Sequence, residues 1–521
     1  MKLISNLVVL NCLLSAATTA FTIDSLANPF NNVQKALQIN FNNDNNNQEE
    51  TFTPTYETYA NQFLDSLESA NFKTTSDDNE FHHWSSIATE ELPFDIQQYV
   101  DRYVIRLHNW DSDKTREAIL LSSHELGLDI WETSMVHKFV DVQVTKLQAV
   151  KLFKLIMNRY ESARFELNLM IHDLPQTIFE TLPIASKTSD ENETVFGDDG
   201  FDASAVEIFF KKYRDLNTIY SWFDLLEQTY PELLTVERIG QTFEGRDIKA
   251  LRLTAHKNDN KNAKTVVITG GIHAREWISV SSACYILSRF LQDYEAGKKK
   301  VTYFLKNLDF LFMPVMNPDG YDYTWNNDRL WRKNRQETYN PRCFGIDIDH
   351  SFDYHFTKSQ ESSCSEDYAG EGAFESLESH AWDKYLNETR HDHPMYGYID
   401  LHSYAQEVLY PYAYTCEQAP RDKENLLELA YGLSQSIRLN SGKNYGVLSA
   451  CEDKGADLLP SMGAGSALDY MYHNKAHWAF VMKLRDSGSH GFLLPPKYIA
   501  PVGKEIYASI KYFAGFVLSD D

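Results

Sequence analysis

The stretch Thr265-Val266-Val267-Ile268-Thr269-Gly270-Gly271-Ile272-His273-Ala274-Arg275-Glu276-Trp277 decides how the rest of the chain is read. Its first five residues are β-branched and largely apolar, which predicts a short buried strand. Gly270 and Gly271 end that strand, and a helical pattern begins at Trp277. Between them, His273 and Glu276 offer one nitrogen and one oxygen donor three residues apart. A second predicted strand, Tyr398-Ile399-Asp400-Leu401, delivers His402 at its end. Open α/β sheets place their sites at the carboxyl ends of strands. Two close ligands and one distant one form a His₂Glu set that leaves a fourth position for water, as in catalytic zinc centres. The H-x-x-E spacing alone is weak, since a surface pair and a capped core histidine give the same letters. The two strand ends are what point to a metal.

Around this stretch lie 521 residues, 43% hydrophobic and 24% charged. That composition supports folded cores and excludes wholesale disorder, and the length fits roughly two to four domains. The formal net charge of -25 argues against nucleic acid or an anionic membrane as a general partner. Residues 1–20 read as a secretory signal: Lys2, an apolar stretch from Leu3 to Leu14, then small residues ending at Ala20. The apolar run is too short for a membrane anchor, and no later run of apolar residues is long enough to span. Passage through the secretory pathway makes the sequons at Asn192 and Asn387 available for glycosylation. Cys12 leaves with the signal, so five cysteines remain in an oxidising compartment.

Residues 21–96 are Asn-rich, with 13 acidic residues against Lys35 and Lys73. They read as a disordered leader with an amphipathic piece around Tyr56–Leu67. Residues 97–173 show strand-like alternation at Tyr99–Leu107, at Val140, Val142 and Val144, and at Phe165, Leu167 and Leu169. A helix is suggested from Asp113, as N-cap, to Gly127, and a second by the spacing of Leu147, Val150, Phe153 and Met157. The pattern predicts a small β-α-β-α-β open sandwich. Residues 174–202 form an acidic connector, with Lys187 its only basic residue. Residues 203–521 form one large α/β domain.

Several blocks of the large domain together resemble the A/B-type zinc metallocarboxypeptidases. They are Gly271–Ile278, Asn317-Pro318-Asp319-Gly320-Tyr321, Arg329–Lys333, Leu401–Tyr404, Leu484-Arg485-Asp486 and Gly491–Pro495, in family order from about residue 205 onward. The unit at 97–173 resembles the family's pro-domain. The resemblance implies a central mixed β-sheet flanked by helices and one Zn²⁺ held by His273, Glu276 and His402. It also implies that Asp347 orients a zinc-bound histidine, and that Arg332, Asp349, His350, Ser403 and Tyr404 lie at substrate-contact positions. A disulfide between Cys343 and Cys364 is implied, as is a second between Cys416 and Cys451. Cys284, in an apolar run, is left over as a buried thiol.

Departures from the family pattern bear on activity. Active members carry a glutamate just before Leu-Arg-Asp, which activates the zinc-bound water. Lys483 stands there. A lysine beside Zn²⁺ is expected to be pushed toward neutrality or to weaken the metal site. Where active members present Asn-Arg to grip the peptide's terminal carboxylate, this chain has Asp349-His350. No tyrosine lies between Glu452 and Leu468, where the family carries its capping tyrosine. These features resemble the fungal inactive metallocarboxypeptidase-like branch linked to cell-wall organisation and biogenesis. The resemblance implies a secreted or vacuolar, monomeric pseudoenzyme that binds a peptide or protein ligand. Two alternatives remain: an active carboxypeptidase of unusual mechanism, and a structural protein in which zinc only stabilises the fold.

Overall fold

Two β-sheets carry the structure, a computed structural model that describes residues 54–71, 83–87, 91–134, 137–185, 208–256, 263–358, 362–454 and 463–519. The predicted signal, Asn192 and most of the acidic connector lie outside the described residues.

The first sheet has four antiparallel strands in the order β2-β3-β1-β4: β1 (Arg102–His108), β2 (Asp129–Ser134), β3 (Phe139–Thr145) and β4 (Glu166–Ile171). Helices α2 (Asp113–Glu125) and α3 (Lys146–Arg159) lie on one face. α3 opens on a full capping box, Thr145 with Gln148, which satisfies two otherwise orphaned N–H groups. α2 is capped by Ser112, one residue before the expected Asp113, because the Ser112 hydroxyl accepts from the Thr115 N–H. Alternation then divides the apolar residues between two cores. Ile105, Leu107, Val140, Val142 and Val144 face α2 and α3. Val104, Trp131 and Ile171 face the large domain and join its core.

Three expectations change here. The small sheet has four strands rather than three. Strand β2 was hidden because both its faces are buried toward its end, so its polar residues do not mark a solvent side. The leader is not disordered throughout. Helix α1 (Tyr56–Asn71) buries Tyr59, Phe63 and Leu67 against Phe153 and Phe165. Nor does the connector begin at residue 174, since helix α4 (Leu174–Phe179) starts at the Asp173 cap and buries Leu174, Ile178 and Phe179.

The second sheet has eight strands in the order β11-β10-β12-β9-β7-β8-β6-β5. They are β5 (Leu234–Gln241), β6 (Asp247–Leu253), β7 (Lys264–Gly270), β8 (Leu308–Met313), β9 (Met395–Ser403), β10 (Glu407–Tyr410), β11 (Gly446–Ser449) and β12 (Trp478–Leu484). The central strands β8, β7, β9 and β12 run parallel; the β5–β6, β6–β8 and β10–β12 pairs are antiparallel, and the edge strand β11 pairs parallel with β10. Helices cover the sheet, among them Trp277–Glu295, which is buried along nearly its whole length, and Ile499–Ser519. This is the mixed sheet flanked by helices that the resemblance implies. The parallel core brings the carboxyl ends of β7, β9 and β12 side by side, with Gly270 opposite Leu401 and His402 opposite Lys483. Cys343 pairs with Cys364 and Cys416 with Cys451, and Cys284 is buried and free.

Phe153 is fully buried between α1 and the small sheet. Phe153→Ala is expected to destabilise the small unit by about 3–5 kcal/mol. Faster hydrogen exchange in β1, β3 and α1, with little change in β7–β9, is the measurement that checks it.

Candidate functional site

The site forms where three parallel strands end. Gly271 leaves β7 at φ +64, and a Cβ there would meet Val280 Cγ2 at 2.7 Å. Glycine therefore permits the sharp turn that carries His273 and Glu276 back over the sheet. The neighbouring strand β9 supplies His402. His273, Glu276 and His402 each present one donor atom, and these atoms lie within 4.8 Å of one another. His273 Nδ1 is 2.8 Å from Glu276 Oε1, and His402 Nδ1 is 3.3 Å from Glu276 Oε2. All three side chains are buried.

Each histidine turns its other nitrogen to a carboxylate. His273 Nε2 lies 3.2 Å from Asp347 Oδ1, and His402 Nε2 lies 3.2 Å from Asp400 Oδ2. Such carboxylates hold the ring orientation and aim the free nitrogen at a metal. The donor set, the converging Nδ1 atoms and the supporting carboxylates fit a Zn²⁺ ion. Burial alone would raise the Asp347 carboxyl, but the Arg332 guanidinium and His273 hold it well below the usual range. Asp400 was not singled out in the sequence. Its only signal was its place two residues before His402.

The remaining contact positions are committed to partners within the chain. Arg332 donates to Asp347 Oδ2 at 2.9 Å. Asp349 accepts from the Ala467 N–H at 3.2 Å, and His350 Nδ1 is 3.0 Å from the Ala464 carbonyl. The Ser403 N–H donates to Glu276 Oε2 at 2.9 Å, while its hydroxyl has no hydrogen-bond partner among the described residues. Asp349, Asp400 and His402 form a second close group. Residues 455–462, within the stretch that lacks the capping tyrosine, lie outside the described residues. Asn387 is exposed, and its amide is bonded to Asp383.

The small unit closes this end of the sheet. Tyr404 donates its hydroxyl to Asp141 Oδ2 at 2.7 Å, and Arg106 grips the same carboxylate through two bonds of 2.6 and 2.7 Å. Arg275 Nη1 reaches both Asp129 oxygens at 3.0 Å. The Trp131 and Phe492 rings lie 5.1 Å apart.

Lys483 departs from its expected behaviour. Its Nζ donates to Asp453 at 2.7 and 2.8 Å and to Glu132 of the small unit at 2.7 Å, and Glu407 is 3.8 Å away. Burial alone would lower the lysine's pKa, but Asp453, Glu132 and Glu407 together raise it. Carboxylates of its own chain thus oppose the loss of the proton expected of a lysine beside Zn²⁺. Burial pushes Glu132 and Glu407 upward despite Lys483. Glu132, Asp453 and Glu407 were missed by sequence reasoning because they are far apart in the chain and match no motif.

A family model described as zinc carboxypeptidase matches residues 219–509. The inactive metallocarboxypeptidase ECM14 of Saccharomyces cerevisiae is 50% identical over 427 residues, covering 82% of this chain and 94% of its own length. The protein of the same name from Ajellomyces dermatitidis is 39% identical over 442 residues, covering 81% of this chain and 73% of its own. The crystal structure of thrombin activatable fibrinolysis inhibitor aligns with a TM-score of 0.66 at 26% identity, covering 81% of this chain and 100% of that one. Carboxypeptidase A from Helicoverpa armigera, at 24% identity and a TM-score of 0.69 over 81% of this chain and 98% of its own, shares the fold.

Tyr404→Phe removes one donor from the buried Asp141 carboxylate. A loss of about 1.5–3 kcal/mol is expected, read as a lower denaturation midpoint and faster hydrogen exchange in β3.

Proposed function

Because the chain belongs to the zinc carboxypeptidase family, we propose that it keeps the family's metal centre, has lost peptide hydrolysis, and acts as a zinc-binding pseudoenzyme. The observation that carries this reading is the contrast between two neighbours on adjacent strands. His402 converges with His273 and Glu276 on a metal-sized space, whereas Lys483 beside it is bound to Asp453 and Glu132. Bound Zn²⁺ supplies Lewis acidity and lowers the pKa of a coordinated water. Hydrolysis also needs a base that takes the water's proton and returns it to the leaving amine. A protonated lysine has no lone pair to accept that proton. Asp349 repels a peptide's terminal carboxylate, and Arg332 is already paired with Asp347.

The finer reading places the protein in the secretory pathway, secreted or vacuolar, as a monomer with a binding or scaffolding role in cell-wall organisation and biogenesis. The signal-like first twenty residues and the two cysteine pairs support the route. The wall role rests on resemblance to the fungal inactive branch. Among the described residues no helix is long and apolar enough to cross a membrane. Burial of all three metal-facing side chains also favours a reading in which zinc chiefly holds strand ends together. A large fall in melting temperature on chelation would mark that role.

Metal analysis of the purified protein is expected to give one zinc per chain and none in His273→Ala. Asp347→Ala is expected to weaken zinc binding about 10–100-fold in a chelator competition. Neither the native protein nor Lys483→Glu is expected to release C-terminal residues from a peptide library. Zinc-dependent release that His273→Ala abolishes would overturn the pseudoenzyme reading.

A further inference from the structure

We propose that the outer edge of the small sheet is a docking groove for an extended segment of a partner polypeptide, which adds to strand β4 alongside helix α1 and places a lysine or arginine against Asp65. The inference goes beyond the metal reading and does not depend on it.

The small sheet has two edges. β2 meets the large domain through Asp129, Trp131 and Glu132. β4 is the other edge, and among the described residues β1 is its one strand partner. Unpaired backbone groups template an added strand unless lysine, proline or a covering element blunts the edge. The β4 sequence Glu166-Leu167-Asn168-Leu169-Met170-Ile171 carries neither lysine nor proline. Its Leu167 carbonyl points away from β1, because it accepts the Gln62 side-chain amide at 3.2 Å. The ladder runs without a shift from the Leu107–Leu167 pair to the Ile105–Leu169 pair. Alternation in an antiparallel pair therefore turns the Leu169 N–H and carbonyl to the same outer side.

Helix α1 forms the far wall. It buries Tyr59, Phe63 and Leu67 in the small core, and its polar side, with Asn61, Gln62 and Asp65, lines a groove of about 1140 Å³ along β4. Small-molecule sites run to about 300–1,000 Å³, so a groove of this size beside a strand edge suits a peptide. Its polar groups await partners. The side chains of Asn61, Asp65 and Asn168 make no hydrogen bond or ion pair among the described residues. His172 Nε2, at one end, is buried with no hydrogen-bond partner among them. His172 aside, Asp65 is the one charged side chain lining the groove, and no cation of the chain meets it. Strand addition takes its affinity from main-chain bonds and its selectivity from side-chain contacts; here the unmatched carboxylate selects a basic residue. A second copy pairing edge to edge would instead bring a second Asp65 into the groove, where like charges repel.

The test selects a phage-displayed library of short random peptides on the immobilised full chain and measures the selected peptides by fluorescence anisotropy. They are expected to share a lysine or arginine. Asp65→Lys, at an exposed position that leaves the core intact, is expected to weaken binding at least ~10-fold. Replacing the peptide's basic residue by glutamate should recover much of that loss in Asp65→Lys and worsen binding to the native chain. Methylating alternate backbone nitrogens of the peptide should abolish binding, and methylating the intervening ones should not. That alternation is a signature which contact through side chains alone lacks. Zinc content should be the same in Asp65→Lys as in the native chain, which separates this inference from the metal reading. A selection that enriches no basic peptide would overturn the proposal, as would binders indifferent to Asp65→Lys or to the position of the methyl groups. Sedimentation of the native chain is expected to give a monomer; a dimer in which the β4 amides gain protection from hydrogen exchange would assign the groove to a second copy instead.

Discussion

An ammonium group buried at the carboxyl end of a central parallel strand must be surrounded by carboxylates, and Lys483 imposes that requirement on both parts of the chain. Moving an ion out of water costs several kcal/mol even after relaxation. The surrounding elements supply the compensation. Glu407 sits directly opposite Lys483 in the antiparallel ladder between β10 and β12. Asp453 comes from the short helix Ala450–Lys454 that follows β11. Glu132 comes from β2 of the small sheet. Three carboxylates around one ammonium exceed neutrality, and the upward shifts of Glu132 and Glu407 mean that the cluster holds protons more tightly than free carboxylates would.

The metal-facing residues answer to a different constraint. Their geometry is fixed from β7 and β9, and their orientation from Asp347 and Asp400 behind them. None of these depends on the side chain at position 483. Lys483 neighbours His402 across the ladder, yet its charge is absorbed by carboxylates of β2, β10 and the helix after β11. A metal-facing set of side chains and a cation thus sit on adjacent strands, each with its own compensating groups. In a pocket without Asp453 and Glu407, the repulsion anticipated between the lysine and zinc would have had to be relieved by the metal or by the lysine's proton.

What was legible in the sequence followed from local rules. The strand-Gly-Gly-His-x-x-Glu run and the strand before His402 announced both the sheet and the metal-facing set, because periodicity and turn chemistry act over a few residues. The lysine was visible as a substitution, but its environment was not. Glu132 lies 351 residues from Lys483, in a strand whose sequence Asp-Ile-Trp-Glu-Thr-Ser reads as mostly polar. Those polar residues are polar because they face another part of the same chain. Helix α1 was glimpsed as an amphipathic piece, but the acidic, Asn-rich surroundings concealed that its apolar side has a sheet to cover. In each case the missing information was tertiary.

The substitutions at the base and clamp positions are not independent losses laid over an otherwise intact peptidase. Lys483 is bound by carboxylates that would repel a glutamate. Asp349 accepts the backbone N–H of Ala467 at the start of helix Ala467–Asn474, and His350 meets the Ala464 carbonyl just before it. Arg332 is engaged by Asp347, and Tyr404 by Asp141. Lys483, Asp349 and His350, the three replacements, each have a structural partner, so restoring one family residue would break a stabilising contact without recovering the others. Buried polar groups are costly when unsatisfied. Once several of them satisfy one another across a cleft, the same physics that stabilises the closed form opposes a return to the open one. The metal-facing side chains and their supports form a separate, self-consistent set, whereas the residues at the substrate-contact positions hold the protein to itself.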